Sequence, residues 1–511
     1  MIRLRAAAHC ATGAVLAVAA SPRAALAHGF GQRYDLPIPL GLWVTAGAAV
    51  VALSFALIGF FVTASPGVRG YWRVNLLRSR FGRLLADDRL RLAARVVSVG
   101  LLFLILVAAL VGDQSPTRNI APTAVWVAWW VGFAYLSALL GNLWAVINPW
   151  SAIFGWGEAL CGPRRAPLRY PAWLGAWPAV GLFAAFAWIE LIFTGRSIPA
   201  QLGRLIVGYS LLTWTGMLLF GRTAWLRHGD PFAVAFGILA RFSPTEIRVT
   251  DRDACRQCGL PCRDPDGACI DCAECFAHAP PPGRELNLRP FGAGLLNTRD
   301  ISPSMVAFVL LLLSTVTYDG FTATPAWSQI ERALYAALAP LGEGRLTAIG
   351  TLGLLAFPLA FLLVYLLFAR WMAWAADDQL ATGTVARLFV LSLVPIAIAY
   401  HLAHYFTFLL IQGQLMIRHV SDPLGIGWNL FGTARYRPDI GIVGARFAWY
   451  TALIAIILGH VIAVYIAHVV ALREFRDRRA ALRSQLPMLV LMVGYTAVSL
   501  WIIAQPIVET R

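Results

Sequence analysis

The chain of 511 residues is 59% hydrophobic and 13% charged, with 19 Trp and 28 Phe. That is about half the charge of a soluble domain, which excludes a water-soluble globule. The net charge of +16 rests on basic residues that are all arginine; they are scattered through loops rather than gathered on a base-reading face, so nucleic acid is excluded as a partner.

Apolar stretches of about 20 residues, the length that crosses a bilayer, recur from end to end. The expected fold class is therefore an all-α polytopic membrane protein of about ten transmembrane helices, with the lipid bilayer as its partner. Residues 1–27 read as a signal peptide: Arg3 and Arg5, an apolar stretch, then "AALA" before His28. An uncleaved short anchor is the plainer alternative. Cleavage after Ala27 makes His28 the mature N-terminus, facing the periplasm, where its amine and imidazole together suit copper.

Spans are expected near 40–63, 96–112, 122–146, 173–193 and 205–220 within a first membrane domain, 28–221. A loop, 222–302, separates them from a second domain, 303–511, with spans near 303–318, 346–369, 386–411, 445–472 and 486–505. Most arginines fall in loops 64–95, 147–172, 222–302, 370–385 and 473–485. The positive-inside rule places those loops in the cytoplasm and agrees with a bacterial inner-membrane protein whose N-terminus is periplasmic. Residues 69–95 read as a basic amphipathic helix on the inner leaflet. The Gly-, Pro- and aromatic-rich loop 412–443 reads as a re-entrant turn or lid on the outer side. No internal repeat of the kind that marks inverted-repeat transporters is visible.

The loop 222–302 contains "CRQCGLPCRDPDGACIDCAECFAHAP", with Cys255, Cys258, Cys262, Cys269, Cys272 and Cys275. A reducing cytoplasm argues against a disulfide framework. Cys255-x2-Cys258 and Cys269-x2-Cys272 have the spacing of two zinc knuckles, with Cys262, Cys275 and His278 as additional ligands. Cys269-x2-Cys272-x2-Cys275 before Pro280 is also close to a ferredoxin run, except that Ala279 stands at the fourth ligand position. Structural zinc, an iron–sulfur cluster and redox-active thiols all remain open, with the loop read as a clamp on the far side from the second candidate site.

That second site lies within the spans. "AYHLAHYFTFLLIQGQ" sets His401 and His404 on one helix face, and "ILGHVIAVYIAH" carries His460 and, about 12 Å further along, His468. Ionisable residues inside spans are costly and are functional candidates. His401, His404 and His460 are expected to bind a divalent metal, zinc first, with haem or copper as alternatives. Buried histidines bonded to neighbouring helices are the structural alternative. Asp319 and Asp422 are the candidate assisting carboxylates; Asp113, Gln412 and Gln414 lie on the same side, and Glu190 sits within an apolar span.

"AHGFGQRYDLPIPLGLW", "NIAPTAVWVAWWVGF", "LLGNLWAVINPW", "FGILARFSP", "TYDGFTATPAW", "HLAHYFTFLLIQGQ" and "SDPLGIGWNLFGT" resemble a family of bacterial membrane proteins named fenitrothion hydrolase. The resemblance runs from His28 to about Gly432 and implies cleavage of the aryl ester of an organophosphorus triester, a hydrophobic small molecule. Metal-activated water at the histidines would supply the nucleophile and Lewis acid for that reaction. Neither G-x-S-x-G nor H-E-x-x-H occurs. A redox or metal-handling protein and a transporter are the competing expectations.

Overall fold

The computed structural model describes residues 33–63, 71–162, 166–251, 253, 267–298, 301–376 and 380–509. The expected signal peptide, 1–27, and His28 lie outside the described residues.

Among the described residues, ten helices are long and apolar enough to cross a membrane. They are α1 (Leu40–Phe61), α2 (Asp88–Val111), α3 (Ile120–Leu140), α4 (Ala172–Leu191), α5 (Pro199–Phe220), α6 (Pro303–Thr322), α7 (Ala339–Ala375), α8 (Thr382–Gln412), α9 (Ala445–Glu474) and α10 (Arg478–Ile507). The protein is an all-α polytopic membrane protein. Some helices outrun their apolar stretches because caps, not hydropathy, set helix ends. Asp87 caps α2 by accepting the N–H groups of Arg89 and Leu90, and Asp477 caps α10 by accepting that of Ala480.

Most of α6, α8 and α9 is buried by protein, whereas α1, α2 and α7 turn most of their apolar surface outward. Helices α8 and α9 form the closest pair because Gly459 lets the backbones meet; a Cβ there would lie 2.4 Å from Ala399 Cβ. Part of α3, Thr123–Gly132, winds as a π-helix and sets Trp130 against His401 of α8.

Two small sheets mark the two sides of the bundle. β1 (Tyr34–Asp35) pairs in parallel with β6 (Val508–Glu509), so both ends of the described chain meet on one side, here termed the terminal side. On the opposite, loop side, β2 (Val74–Asn75), β5 (Arg284–Leu288), β3 (Thr245–Val249) and β4 (Cys269–Ile270) form an antiparallel sheet in that order.

The segment 69–95 departs from the expected surface helix. Val74 and Asn75 pair with Leu288 and Asn287, a 3-10 turn follows, and only Arg80–Leu85 is helical before α2 begins. Strand pairing with a partner more than two hundred residues away overrides the local helical pattern. Phe81, Leu84 and Leu85 nonetheless remain exposed beside Arg80 and Arg83.

On the terminal side, segment 412–443 folds into a helix, Leu415–Ser421, and a series of turns. It seals the α2–α3 connection: the N–H of Asp113 donates to Leu424 O at 2.8 Å and that of Ile120 to Pro423 O at 3.1 Å.

Candidate metal centre

Cys269 opens β4, where Val249 pairs with it and Arg248 with Ile270. The chain then turns through Asp271, the one non-glycine residue at positive φ (54°) among those described. Cys272 precedes a short helix, Ala273–His278, whose first turn brings in Cys275. The three sulfurs lie within 4.8 Å of one another and are buried, packed among Val249, Phe276, Ala279 and Leu77.

The turn at Asp271 is pinned from two directions. Its N–H donates to Ile247 O at 2.8 Å, and its Oδ2 lies 3.1 Å from Arg289 Nη1. A left-handed non-glycine residue costs roughly 1–3 kcal/mol and persists only where its surroundings hold it. Arg289 is buried and also donates to Glu246 Oε2 at 3.2 Å and to Ser243 O. Glu246 in turn accepts from Tyr71 at 2.5 Å and Arg73 at 2.7 Å, which ties the first loop-side segment to the cysteine sheet. Burial pushes the Glu246 carboxyl up, but its bonds to Arg73 and Tyr71 and the Arg289 charge outweigh that and hold it below the usual range. For Asp271 burial prevails over Arg289 and leaves its carboxyl raised.

Arg227 reaches from the short helix Arg222–His228 to place Nη2 3.9 Å from Cys272 Sγ. A guanidinium there favours the thiolate, the form that binds metal. Thr223, from the same helix, hydrogen-bonds Glu274 beside the cysteines.

Three convergent cysteine sulfurs, once all are thiolates, suit zinc, whose tetrahedral ligand sulfurs stand about 3.8 Å apart given Zn–S of about 2.3 Å, or a cysteine-ligated iron–sulfur cluster. Cys255, Cys258 and Cys262, expected to supply further ligands, lie outside the described residues. Cys275 is disulfide-bonded. The disulfide departs from the expectation of reduced thiols, and metal ligation by Cys275 requires its reduction. Cys275 belongs to the trio itself, so the described fold brings together the overlapping C-x2-C-x2-C run; the knuckle formed by Cys255 and Cys258 lies outside the described residues. His278 directs Nδ1 to Glu274 O at 2.8 Å.

The intramembrane histidines are not gathered on one point. Among the described residues, Cys269, Cys272 and Cys275 form the only group of three or more His, Cys, Asp or Glu with ligand atoms that close. A metal shared by His401, His404 and His460 is therefore not supported by the geometry. His401 and His404 share a helix face, yet their rings turn to different neighbours. His401 packs its ring among Trp130, Tyr135 and Tyr405. His404 Nε2 lies 2.8 Å from Asp319 Oδ2, which also accepts from Tyr405 at 2.6 Å. His460 turns Nδ1 to Ile456 O and its ring toward Tyr495.

Asp319 thus joins His404 as expected, whereas Asp422 does not. Both carboxylate oxygens of Asp422 accept backbone N–H groups, from Ile426 and Gly427, and hold a turn of the terminal-side cap. Asp113 pairs with Arg118, and Gln414 bridges Tyr436 and Asp439, in the same cap. Glu190 interacts electrostatically with Asp319 and Arg196.

The chain is 29% identical over 126 residues to the methylamine utilization ferredoxin-type protein MauN of Paracoccus denitrificans (strain Pd 1222). That match covers 23% of this chain and 38% of the relative's length. No protein-family model and no solved structure matches.

Proposed function

We propose that this is a membrane-embedded redox protein whose loop-side sheet carries a cysteine-ligated iron–sulfur centre. The observation that carries the reading is the convergence of Cys269, Cys272 and Cys275 in a buried knuckle with C-x2-C-x2-C spacing. The ferredoxin-type name of the partial relative supports it, as does the guanidinium of Arg227 beside Cys272. When bound, the cluster would supply one-electron chemistry. The chain's own contribution is to bury the ligands, orient them through Asp271 and Arg289, and place positive charge beside them. The arginine-rich loop side is, in this reading, the cytoplasmic face of a bacterial inner membrane.

The test is metal analysis of anaerobically purified protein together with absorption and low-temperature EPR spectra. Iron with acid-labile sulfide, a broad visible band and an EPR signal on reduction are expected, all lost in Cys272→Ser. Stoichiometric zinc in a colourless protein overturns the proposal and makes the trio a structural clamp.

The contact between Asp319 and His404 favours a second reading, hydrolysis of a hydrophobic aryl phosphotriester. A carboxylate that orients an imidazole is the arrangement of a general base, and the Asp319 side chain is 22% exposed. Release of nitrophenol from an aryl phosphotriester by purified protein, abolished by His404→Gln and retained in Cys272→Ser, is the expected result. Turnover that survives His404→Gln refutes it.

A further inference from the structure

On the loop side, the helix Pro149–Cys161 packs against α2 and α5, and between it and the last turns of α5 lies an apolar cavity of about 300 Å³. Ile153 and Phe154 wall it from the helix, and Trp214 and Leu218 from α5. Leu218 and its neighbours Leu211 and Leu219 are exposed, so the cavity opens on the lipid-facing surface of the bundle. Gly157 presents bare backbone to it, and a Cβ there would meet nothing within 4 Å. Trp214 Nε1 donates to Trp150 O at 3.2 Å, and Trp150 Nε1 to Ser210 Oγ at 2.7 Å, which ties the helix to α5 beside the cavity. Trp214 stands six residues before the end of α5, about 9 Å along the helix. Tryptophan at that depth is typical of the interfacial belt of a bilayer.

Charge gathers at the rim. Glu158 lines the cavity, and its Oε2 lies 3.7 Å from Arg222 Nη1. The same nitrogen crosses the helix at Gly155, where a Cβ would stand only 2.5 Å from it, so glycine is what admits the guanidinium there. From α2, Arg95 donates to Val146 O at 3.0 Å and lies within electrostatic reach of Arg91 and Arg222. Arg91 is paired with Asp88 at 2.6 Å and Arg222 loosely with Glu158, whereas Arg95 forms no ion pair among the described residues. Three guanidinium groups thus share two carboxylates, and one positive charge is left over beside an apolar cavity.

We propose that this cavity binds an anionic phospholipid of the loop-side leaflet. One acyl chain lies between the helix Pro149–Cys161 and α5, and the phosphate accepts from Arg222. The uncompensated charge of Arg95 selects a headgroup of net negative charge over a zwitterionic one. Basic pockets between transmembrane helices recognise anionic headgroups in this way. A volume at the low end of ligand sites, about 300–1,000 Å³, suits part of one chain. Arg222 also begins the short helix that carries Thr223 to Glu274 and Arg227 to Cys272, so the headgroup and the cysteine knuckle hold the same element. The site is built from its own residues and does not depend on a metal at the cysteines.

The experiment titrates the full chain, purified in detergent and stripped of lipid, with phosphatidylglycerol or with phosphatidylcholine of the same acyl chains. Native mass spectrometry counts the lipids bound. The first phosphatidylglycerol should bind at least about fivefold more tightly than the first phosphatidylcholine, the factor expected of one uncompensated arginine. Glycerol 3-phosphate, a phosphate without tails, should not displace it. Gly157→Leu, which fills the cavity, and Arg222→Gln should each weaken binding by about fivefold or more. Arg345→Gln, on the terminal side, should not. Gel filtration and circular dichroism identify any variant that fails to fold, and Arg95→Gln then replaces it. A phosphatidylglycerol with a photoreactive acyl chain should label within 149–162 or 210–220. Equal affinity for the two lipids, displacement by glycerol 3-phosphate, label confined to other segments, or folded variants that bind like wild type would each overturn the proposal.

Discussion

Arg289 sets one guanidinium against two carboxylates, Glu246 and Asp271, in a place where it is itself 1% exposed. Removing one partner of a buried ionic cluster leaves the others uncompensated, at about 3–5 kcal/mol. Arg289→Met should therefore destabilise the loop-side sheet by about that amount and release the Asp271 turn. Limited proteolysis should cut within 222–302, and metal content should fall with it. Adding Glu246→Gln should restore part of the loss, because the two changes remove opposite charges from one network. An unchanged proteolysis pattern in Arg289→Met would show that the network does not hold the knuckle. The cysteines were legible in the sequence because ligand spacing is local. Arg289, Glu246 and Arg227 were not, because each reaches the site from a separate segment and none carries a spacing signal. The φ of 54° at Asp271, in the middle of C-x2-C, is their joint imprint.

At the scale of elements, the spans were legible almost completely because the bilayer length imposes one strong apolar period. Their packing was not, since it depends on small residues whose partners lie on other helices. Gly459 against Ala399 and Pro395 is the clearest case. Gly459→Val should separate α8 from α9 at a cost of about 1–3 kcal/mol, seen as a lower unfolding temperature in detergent. A melting curve unchanged by Gly459→Val would place the contact outside the stabilising core.

The terminal-side cap supplies a pH prediction. His419 is buried in it, and burial, reinforced by the Arg418 charge, pushes its imidazole down to about 4 from the ordinary 6.5. The unfolded cap therefore binds the extra proton first. Its stability is full above about pH 6.5 and falls as the pH drops from there toward 4. Hydrogen exchange of 413–444, corrected for intrinsic rates, should rise between pH 7 and pH 5 in wild type and stay flat in His419→Phe. Equal protection at both pH values would mean that His419 does not govern the cap.

The whole molecule has two unlike faces. One joins the two ends of the described residues through β1 and β6 and carries the sealed cap; the other carries the cysteine sheet and a high density of arginine. The pairing of β2 with β5 independently requires that the connections 62–87 and 221–302 share a side, as the positive-inside reading also requires. What hydropathy and charge left open was that these connections fold together into a sheet, because that sheet is assembled from short strands far apart in sequence. The remaining step is absolute orientation, and Cys161 offers a direct reporter. It ends the helix Pro149–Cys161 on the loop side and is exposed. In a background with the six loop cysteines changed to Ser, a membrane-impermeant maleimide should label Cys161 in inside-out vesicles but not in sealed right-side-out spheroplasts. Labelling confined to spheroplasts would put the arginine-rich face outside. It would also move the cysteine sheet into an oxidising compartment, where the disulfide at Cys275 would be favoured.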